Sequence, residues 1–183
     1  SLRTRHTNAY FAGLGKTRRI VLYDSLLSAH DHEEVLSVLA HEIGHLKRRH
    51  IAKQLVIAAA STLAMFAAAG FLVSWPELYA GFGFSGQAPY VGLFLAVLLL
   101  QAVWVFASPL SAAVSRRFEK EADRYAAGLS GSPAGLCRAL KKMAADNLTN
   151  LFPHPLFVAL YYSHPPLLER LDRLGCEEPQ AAN

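Results

Sequence analysis

DHEEVLSVLAHEIGHLKRRH at residues 31–50 runs straight into IAKQLVIAAASTLAMFAAAGFLVSW at residues 51–75, and the contrast between the two decides the organisation of the chain. In the first stretch Val35, Leu36, Val38, Leu39, Ile43 and Leu46 recur at intervals of three and four, the period of an amphipathic helix. Asp31 followed three residues later by Glu34 can form a capping box, each side chain satisfying a backbone N–H of the first turn, so the spacing predicts one helix from about residue 31 to about residue 50. In the second stretch charge disappears: Leu55 to Trp75 is 21 uncharged residues, and at a rise of about 1.5 Å per residue it can cross a hydrocarbon core about 30 Å thick. A second apolar run spans Tyr90 to Pro109, with LFLAVLLLQAVWVFA at its centre. Of the 62 residues from Gln54 to Ser115 only Glu77 is charged, where the chain-wide 17% would put about ten.

With this insert the chain as a whole, 183 residues and 52% hydrophobic, fits one domain with a core, globular or membrane, which excludes disorder and collagen-like fibres. The balance of 18 Lys+Arg against 14 Asp+Glu gives +4. Those basic residues bracket the insert: Lys47, Arg48, Arg49 and Lys53 precede it, and Arg116, Arg117, Lys120 and Arg124 follow it. They are not interleaved with aromatics on a recognition helix, so no nucleic-acid partner is expected. The link PELYAGFGFSGQAP at residues 76–89 has no Lys or Arg, and the positive-inside rule therefore puts the link outside and both flanks in the cytosol. A buried helical hairpin in a soluble core is the competing reading, but two spans of this length with such flanks are unusual in soluble chains. Trp75, Tyr79, Tyr90 and Trp104 fit membrane-belt or packing positions. Cys137 and Cys176 form no C-x-x-C pair and read as reduced, incidental thiols.

The first residues, SLRTRHTNAYF, contain no initiator Met, apolar h-region or cleavage site, which reads as a piece beginning inside a larger protein. Residues 2–27 alternate in short apolar runs around a Gly15-Lys16 break and predict a β-hairpin whose second strand includes RRIVLYDSLL. After Ser115 come a charged helix, RRFEKEADRYAAGL, a second helix, PAGLCRALKKMA, an irregular stretch from Asn147 to Pro166, and a short helix LLERLDRLG with Pro166 in its first turn. The tail from Cys176 to Asn183 is expected to fray, and the Asn147-Leu148-Thr149 sequon to stay unused on a cytosolic face.

The chemistry lies in His41-Glu42-Ile43-Gly44-His45. Histidines four apart on a helix project from one face and can bind one zinc ion, and Glu42 beside the first can take a proton from water at the metal. Two histidines leave such a site one protein ligand short, and the acids Glu119, Glu121 and Asp123 on the later helix are the candidates. Glu119 and Asp123 share a face and Glu121 points nearly opposite; the wheel alone does not choose, though it suggests that one member of the pair binds metal and the other holds a ligand histidine. Glu121 reads best as a solvated acid among Arg117, Lys120 and Arg124. His50, about 140° round an unbroken helix from His45, cannot join the site; it and His6, His30, His32 and His154 read as surface, turn or capping residues.

H-E-x-x-H at His41 to His45, E-x-x-x-D at Glu119 to Asp123, NAYFAGLGKTRRIVLYDSLL near the start and YSHPPLLERL near the end together resemble the zinc-dependent CAAX prenyl endopeptidases of type I. The heat-shock membrane proteases of HtpX type share the zinc motif and a similar early segment, but the wording at both ends favours the CAAX branch. The resemblance covers about Asn8 to about Leu174. It implies a mainly α integral-membrane, zincin-like metalloprotease domain over residues 1–183, with a small N-terminal β-hairpin and a transmembrane hairpin of helices 55–75 and 90–109 inserted between the zinc-ligand helices. It makes His41, His45 and Glu119 the ligands of one zinc ion, Glu42 the general base and Asp123 a support behind a ligand. His164 matches a histidine that steadies the oxyanion, and Arg170 the arginine of the same motif, placed with substrate. A donor opposite the metal is what amide hydrolysis needs, because negative charge builds on the carbonyl oxygen; the simpler role for His164 is an N-cap before two prolines. Asn8, Ala9 and Tyr10 match an edge strand that can hold an extended peptide by main-chain hydrogen bonds.

The expected protein is thus a membrane-embedded zinc endopeptidase. If the first helix ran unbroken into the membrane, the ten residues from His45 to Leu55 would rise about 15 Å, and the four from Ser115 to Glu119 about 6 Å, keeping the metal near the cytosolic face. The expected partners are the bilayer and a peptide or protein substrate, lipid-modified or membrane-embedded. The Ala- and Arg-rich wording points to a bacterial cell membrane; in a eukaryote the endoplasmic reticulum would be the site. Quality control of damaged membrane proteins, as in the heat-shock branch, is the first alternative, and a non-catalytic scaffold with a structural zinc the second.

Overall fold

The computed structural model describes residues 9–12 and 19–176. Its elements are β1 (Ala9–Ala12), β2 (Arg19–Leu22), α1 (Asp24–Ala29), α2 (His32–Lys47), α3 (His50–Val73), α4 (Pro76–Gly81), α5 (Pro89–Ser130), α6 (Ala134–Asp146), α7 (Pro155–Tyr161) and α8 (Leu167–Leu174). They fall into two units, one of residues 1–50 and 112–183 and the other of residues 51–111.

In the first unit β1 and β2 pair antiparallel, with Ala9 opposite Leu22 and Tyr10 opposite Val21. The expected second strand is shorter than its apolar run suggests: Asp24-Ser25-Leu26-Leu27 turns into α1, and Leu26 is fully buried against Val38 and Ala139. Helix α2 begins as its sequence dictates, with the Glu34 N–H donating to Asp31 Oδ1 at 2.9 Å and the Asp31 N–H to Glu34 Oε2 at 3.0 Å. Glu34 is itself buried and takes Lys142 Nζ at 2.7 Å, so the cap also ties α2 to α6. The helix ends at Lys47, three residues before the expected end: Arg48 caps it and Arg49 sits in the left-handed region at φ 56°. Helix α2 buries Glu34, Ser37, Val38, Ala40, His41 and Gly44 while Leu36 of its apolar repeat stays exposed, and Ala40 joins Ala126, Leu136, Cys137, Leu140 and Leu171 in the main core cluster.

Two further expectations are corrected in this unit. Cys137 and Cys176 are joined in a disulfide, because the packing of α6 and α8 closes a separation of 39 residues that the sequence spacing hides. Cys176 therefore anchors the start of the tail that was expected to fray; residues 177–183 lie outside the described set. The stretch expected to be irregular holds α7, begun by His154, whose Nδ1 accepts from the Leu156 N–H at 3.2 Å.

In the second unit the link folds as α4, and the Tyr79 hydroxyl donates to the Val73 carbonyl at 2.7 Å. Tyr79 is buried with Leu78 and Leu95, lying over Gly92, where any Cβ would overlap its hydroxyl. Trp75, Tyr90 and Trp104 are exposed. Helices α3 and α5 are both long and apolar enough to cross a membrane. Along α3 Leu55, Val56, Leu63, Phe66 and Phe71 are all exposed, an apolar surface that water would not tolerate at this extent. Pro109 does not end its helix: the second apolar run and the charged stretch after Ser115 form one helix of 42 residues.

Candidate metal centre

Helix α2 supplies His41, Glu42 and His45, and the part of α5 beyond its apolar run supplies Glu119, Glu121 and Asp123. The two helices can approach because Gly44 sits between them: a Cβ there would lie 3.1 Å from both Cα and O of Ala122 and 3.2 Å from Cβ of Tyr125.

Nε2 of His41 and Nε2 of His45 are 3.2 Å apart; the first is 3.5 Å from Glu119 Oε2 and the second 3.2 Å from Glu119 Oε1. Donors about 2.0–2.1 Å from a tetrahedral zinc are about 3.3 Å from one another; the separations in this triangle are of that size, with His41 and His45 each nearest a different oxygen of Glu119. Among the described residues it is the cluster of three such side chains that could hold a metal ion. Asp123 stands behind it, with Oδ1 2.8 Å from Nδ1 of His41. Arg170 donates to Asp123 from Nε at 2.9 Å and Nη2 at 2.7 Å, a bidentate pair that fixes the carboxylate. Its guanidinium is thus engaged with Asp123 and also lines the neighbouring cavity, where contact with substrate was expected.

Electrostatics follow the same geometry. Burial opposes charge on His41, but Asp123 and Glu119 outweigh it and raise its pKa to about 9. Burial would raise both carboxyls, yet contacts with His41 and His45 hold Glu119 below its usual range, and those with His41 and Arg170 do the same for Asp123. At Glu42 burial prevails and the carboxyl is pushed up, the direction that suits a proton acceptor.

A cavity of about 700 Å³ opens beside His41 and Glu119. Glu42, Glu119, His164 and Arg170 line it together with an apolar wall that includes Leu136, Leu140 and Met143. His164 is 63% exposed at its side chain; its Nδ1 is 2.9 Å from Ser163 Oγ, which leaves Nε2 facing Glu119 Oε1 at 3.5 Å. It is not an N-cap, since Pro166 holds that position for α8. The loop carrying it is tied down by Arg116, expected only as a membrane-flanking charge, which donates to the carbonyls of Val158 at 2.9 Å and Tyr162 at 2.6 Å. Ala9 and Tyr10 lie on β1, and Asn8 is outside the described residues.

Two histidine and acid readings need correction, while His30 sits at the end of α1 as one of the expected capping residues. His50 is 1% exposed, stacked on Phe118 at a centroid distance of 4.3 Å, with Nδ1 3.1 Å from Nδ1 of His45. Glu121 is 3.2 Å from His50 Nε2 and accepts from Arg117 Nε at 3.1 Å, so it is not a free solvated acid. His30 is buried as well. The wheel missed His50 because Arg49 interrupts the helix and resets its phase; no spacing in the sequence signals that contact.

The model of peptidase family M48 matches residues 1–178. The chain is 36% identical over 182 residues to a CAAX prenyl protease 1 homolog of Arabidopsis thaliana, covering 97% of this chain and 42% of that protein. It is 34% identical to CAAX prenyl protease 1 of Saccharomyces cerevisiae, at 95% and 42% coverage, and 34% identical to the homolog of Homo sapiens, at 95% and 45%. The crystal structure of Ste24p of S. mikatae superposes with a TM-score of 0.78 at 34% identity, over 93% of this chain and 42% of that one. The chain thus spans less than half the length of the curated relatives it matches.

Proposed function

The chain belongs to peptidase family M48, and on that premise we propose that it carries the catalytic site of a membrane zinc metalloendopeptidase of the CAAX prenyl protease type. The observation that carries this reading is the convergence of His41, His45 and Glu119 donors, 3.2–3.5 Å apart, beside a cavity lined by His41, Glu119 and Glu42. A zinc ion held there would polarise the scissile carbonyl and make water easier to deprotonate.

Glu42, raised in pKa by burial, takes the proton of the attacking water and returns it to the leaving amine. Asp123, clamped by Arg170, holds the His41 ring so that Nε2 faces the metal. His164 donates from Nε2 to the oxyanion as the carbonyl carbon becomes tetrahedral, while Ser163 engages Nδ1. The open side of β1 at Ala9 and Tyr10 suits an extended peptide. Two apolar helices and the basic residues at both ends of residues 54–115 support attachment to a bilayer with the site on the cytosolic face, where a lipid-modified or membrane-embedded tail would be met.

The test uses the intact protein in liposomes, wild type beside Glu42→Gln, with a farnesylated CAAX peptide, its unprenylated twin and an unfolded membrane protein. Cleavage of the farnesylated peptide that disappears in Glu42→Gln at unchanged zinc content is the expected result. Cutting of the unfolded protein alone would keep the chemistry and move the role to quality control. A zinc-loaded wild type that cuts nothing would leave a scaffold.

A further inference from the structure

Each ligand histidine of the metal triangle has its second ring nitrogen against a partner, and the two partners differ. Behind His41 stands a carboxylate, Asp123. Behind His45 stands another imidazole: His50 Nδ1 at 3.1 Å, with His50 Nε2 in turn 3.2 Å from Glu121 Oε2. Helical geometry does not bring residues five apart into contact; the left-handed Arg49 between α2 and α3 does. His50 is 1% exposed and lies flat on Phe118, with an interplanar angle of 8°, so its ring has little freedom to turn away.

We propose that Glu121 and His50 form a relay that sets the tautomer and orientation of His45, making both positioning residues for the metal centre. The relay is fixed by what each group can do. An ionised carboxylate only accepts, so Glu121 takes the Nε2–H of His50. That leaves His50 Nδ1 as a lone-pair acceptor, which receives the Nδ1–H of His45. His45 then presents the lone pair of Nε2, the nitrogen 3.2 Å from both His41 Nε2 and Glu119 Oε1. Without the relay the neutral ring could carry its proton on Nε2, where it could not bind a metal. Arg117, donating to the other oxygen of Glu121, helps to hold that carboxylate aimed at His50. Neither residue touches the cavity wall, so neither meets substrate.

The inference rests on the metal reading above, and its test separates the two. Zinc dissociation constants are measured on the intact protein by competition with a chelator, and the visible spectrum of the cobalt-substituted protein reports ligand geometry. His50→Phe keeps the stack on Phe118 and the buried volume while deleting both nitrogens; loss of such a partner weakens metal binding about 10–100-fold. Glu121→Ala should weaken zinc in the same direction, and Glu121→Gln, which still offers an acceptor oxygen, should restore most of the loss. An altered cobalt spectrum in His50→Phe is expected alongside, a change that mere loosening of the core would not produce. Wild-type zinc affinity and cobalt spectrum in Glu121→Ala would overturn the relay, whether or not His50→Phe folds. A wild type that takes up no zinc would overturn the metal site and the relay together.

Discussion

Asp123 concentrates the logic of the site at the residue scale, because it faces a ligand histidine on one side and a guanidinium on the other. Its side chain is 6% exposed, so removing its charge leaves Arg170, 12% exposed, without its bidentate partner. Asp123→Asn should therefore weaken zinc binding about 10–100-fold, read by chelator competition, and also lower the melting temperature. His164 predicts the opposite separation. It is mostly exposed and would act only as charge builds on the carbonyl oxygen, so His164→Ala should lower kcat about 10²–10³-fold with zinc content unchanged. His41, Glu42, His45, Glu119 and Asp123 were legible from spacing or from the family resemblance, since i,i+4 spacing on a regular helix fixes which side chains share a face. His50 and Glu121 were not, because their contact depends on one left-handed residue, Arg49, whose identity carries no such signal.

At the scale of elements, the approach of α2 and α5 is set at Gly44. Alanine there would gain about 1 kcal/mol of helix propensity but press on the Ala122 backbone, and overpacking of this kind costs about 1–3 kcal/mol. Gly44→Ala should thus lose stability on balance, and because His41 and His45 flank it, zinc affinity should fall with it; a denaturation midpoint and a zinc titration check both. The loop between α7 and α8 is set by Arg116. Its hydrogen bonds reach the Val158 carbonyl, which also accepts from the Tyr162 N–H, and the Tyr162 carbonyl just past α7, each charged bond contributing about 1.5–3 kcal/mol before solvent screening. Arg116→Met should speed amide exchange across residues 161–164 and reduce kcat while leaving the metal bound. Capping and period made α2, α6 and α8 readable. The α1 turn at Asp24 was hidden inside an apolar run, and the fusion of the second apolar run with the ligand-bearing helix was hidden by Pro109, which usually ends one.

At the scale of the whole molecule, two features speak to compartment and pull in opposite directions. Basic residues at both ends of residues 54–115, and their absence from residues 76–89, are what the proposed cytosolic orientation of the unit with His41 and His45 rests on. The Cys137–Cys176 disulfide belongs to an oxidising compartment. The packing of α6 against α8, with Cα atoms 5.9 Å apart, brings the sulfurs together by burial of Leu136, Leu140 and Leu171, so the thiols would stay adjacent in a reducing environment without the bond. The charge asymmetry is written across many residues and the bond across two, so the proposed cytosolic orientation rests on the charges and is open to a direct labelling test. Ser85 is exposed in the link, and in Ser85→Cys a membrane-impermeant maleimide should label the protein from outside intact cells. Cys137 and Cys176, joined in the structure, should react only after denaturation with added reductant. Labelling of position 85 only from within would invert the orientation, and labelling of the two cysteines without reductant would show that the bond is absent in the cell.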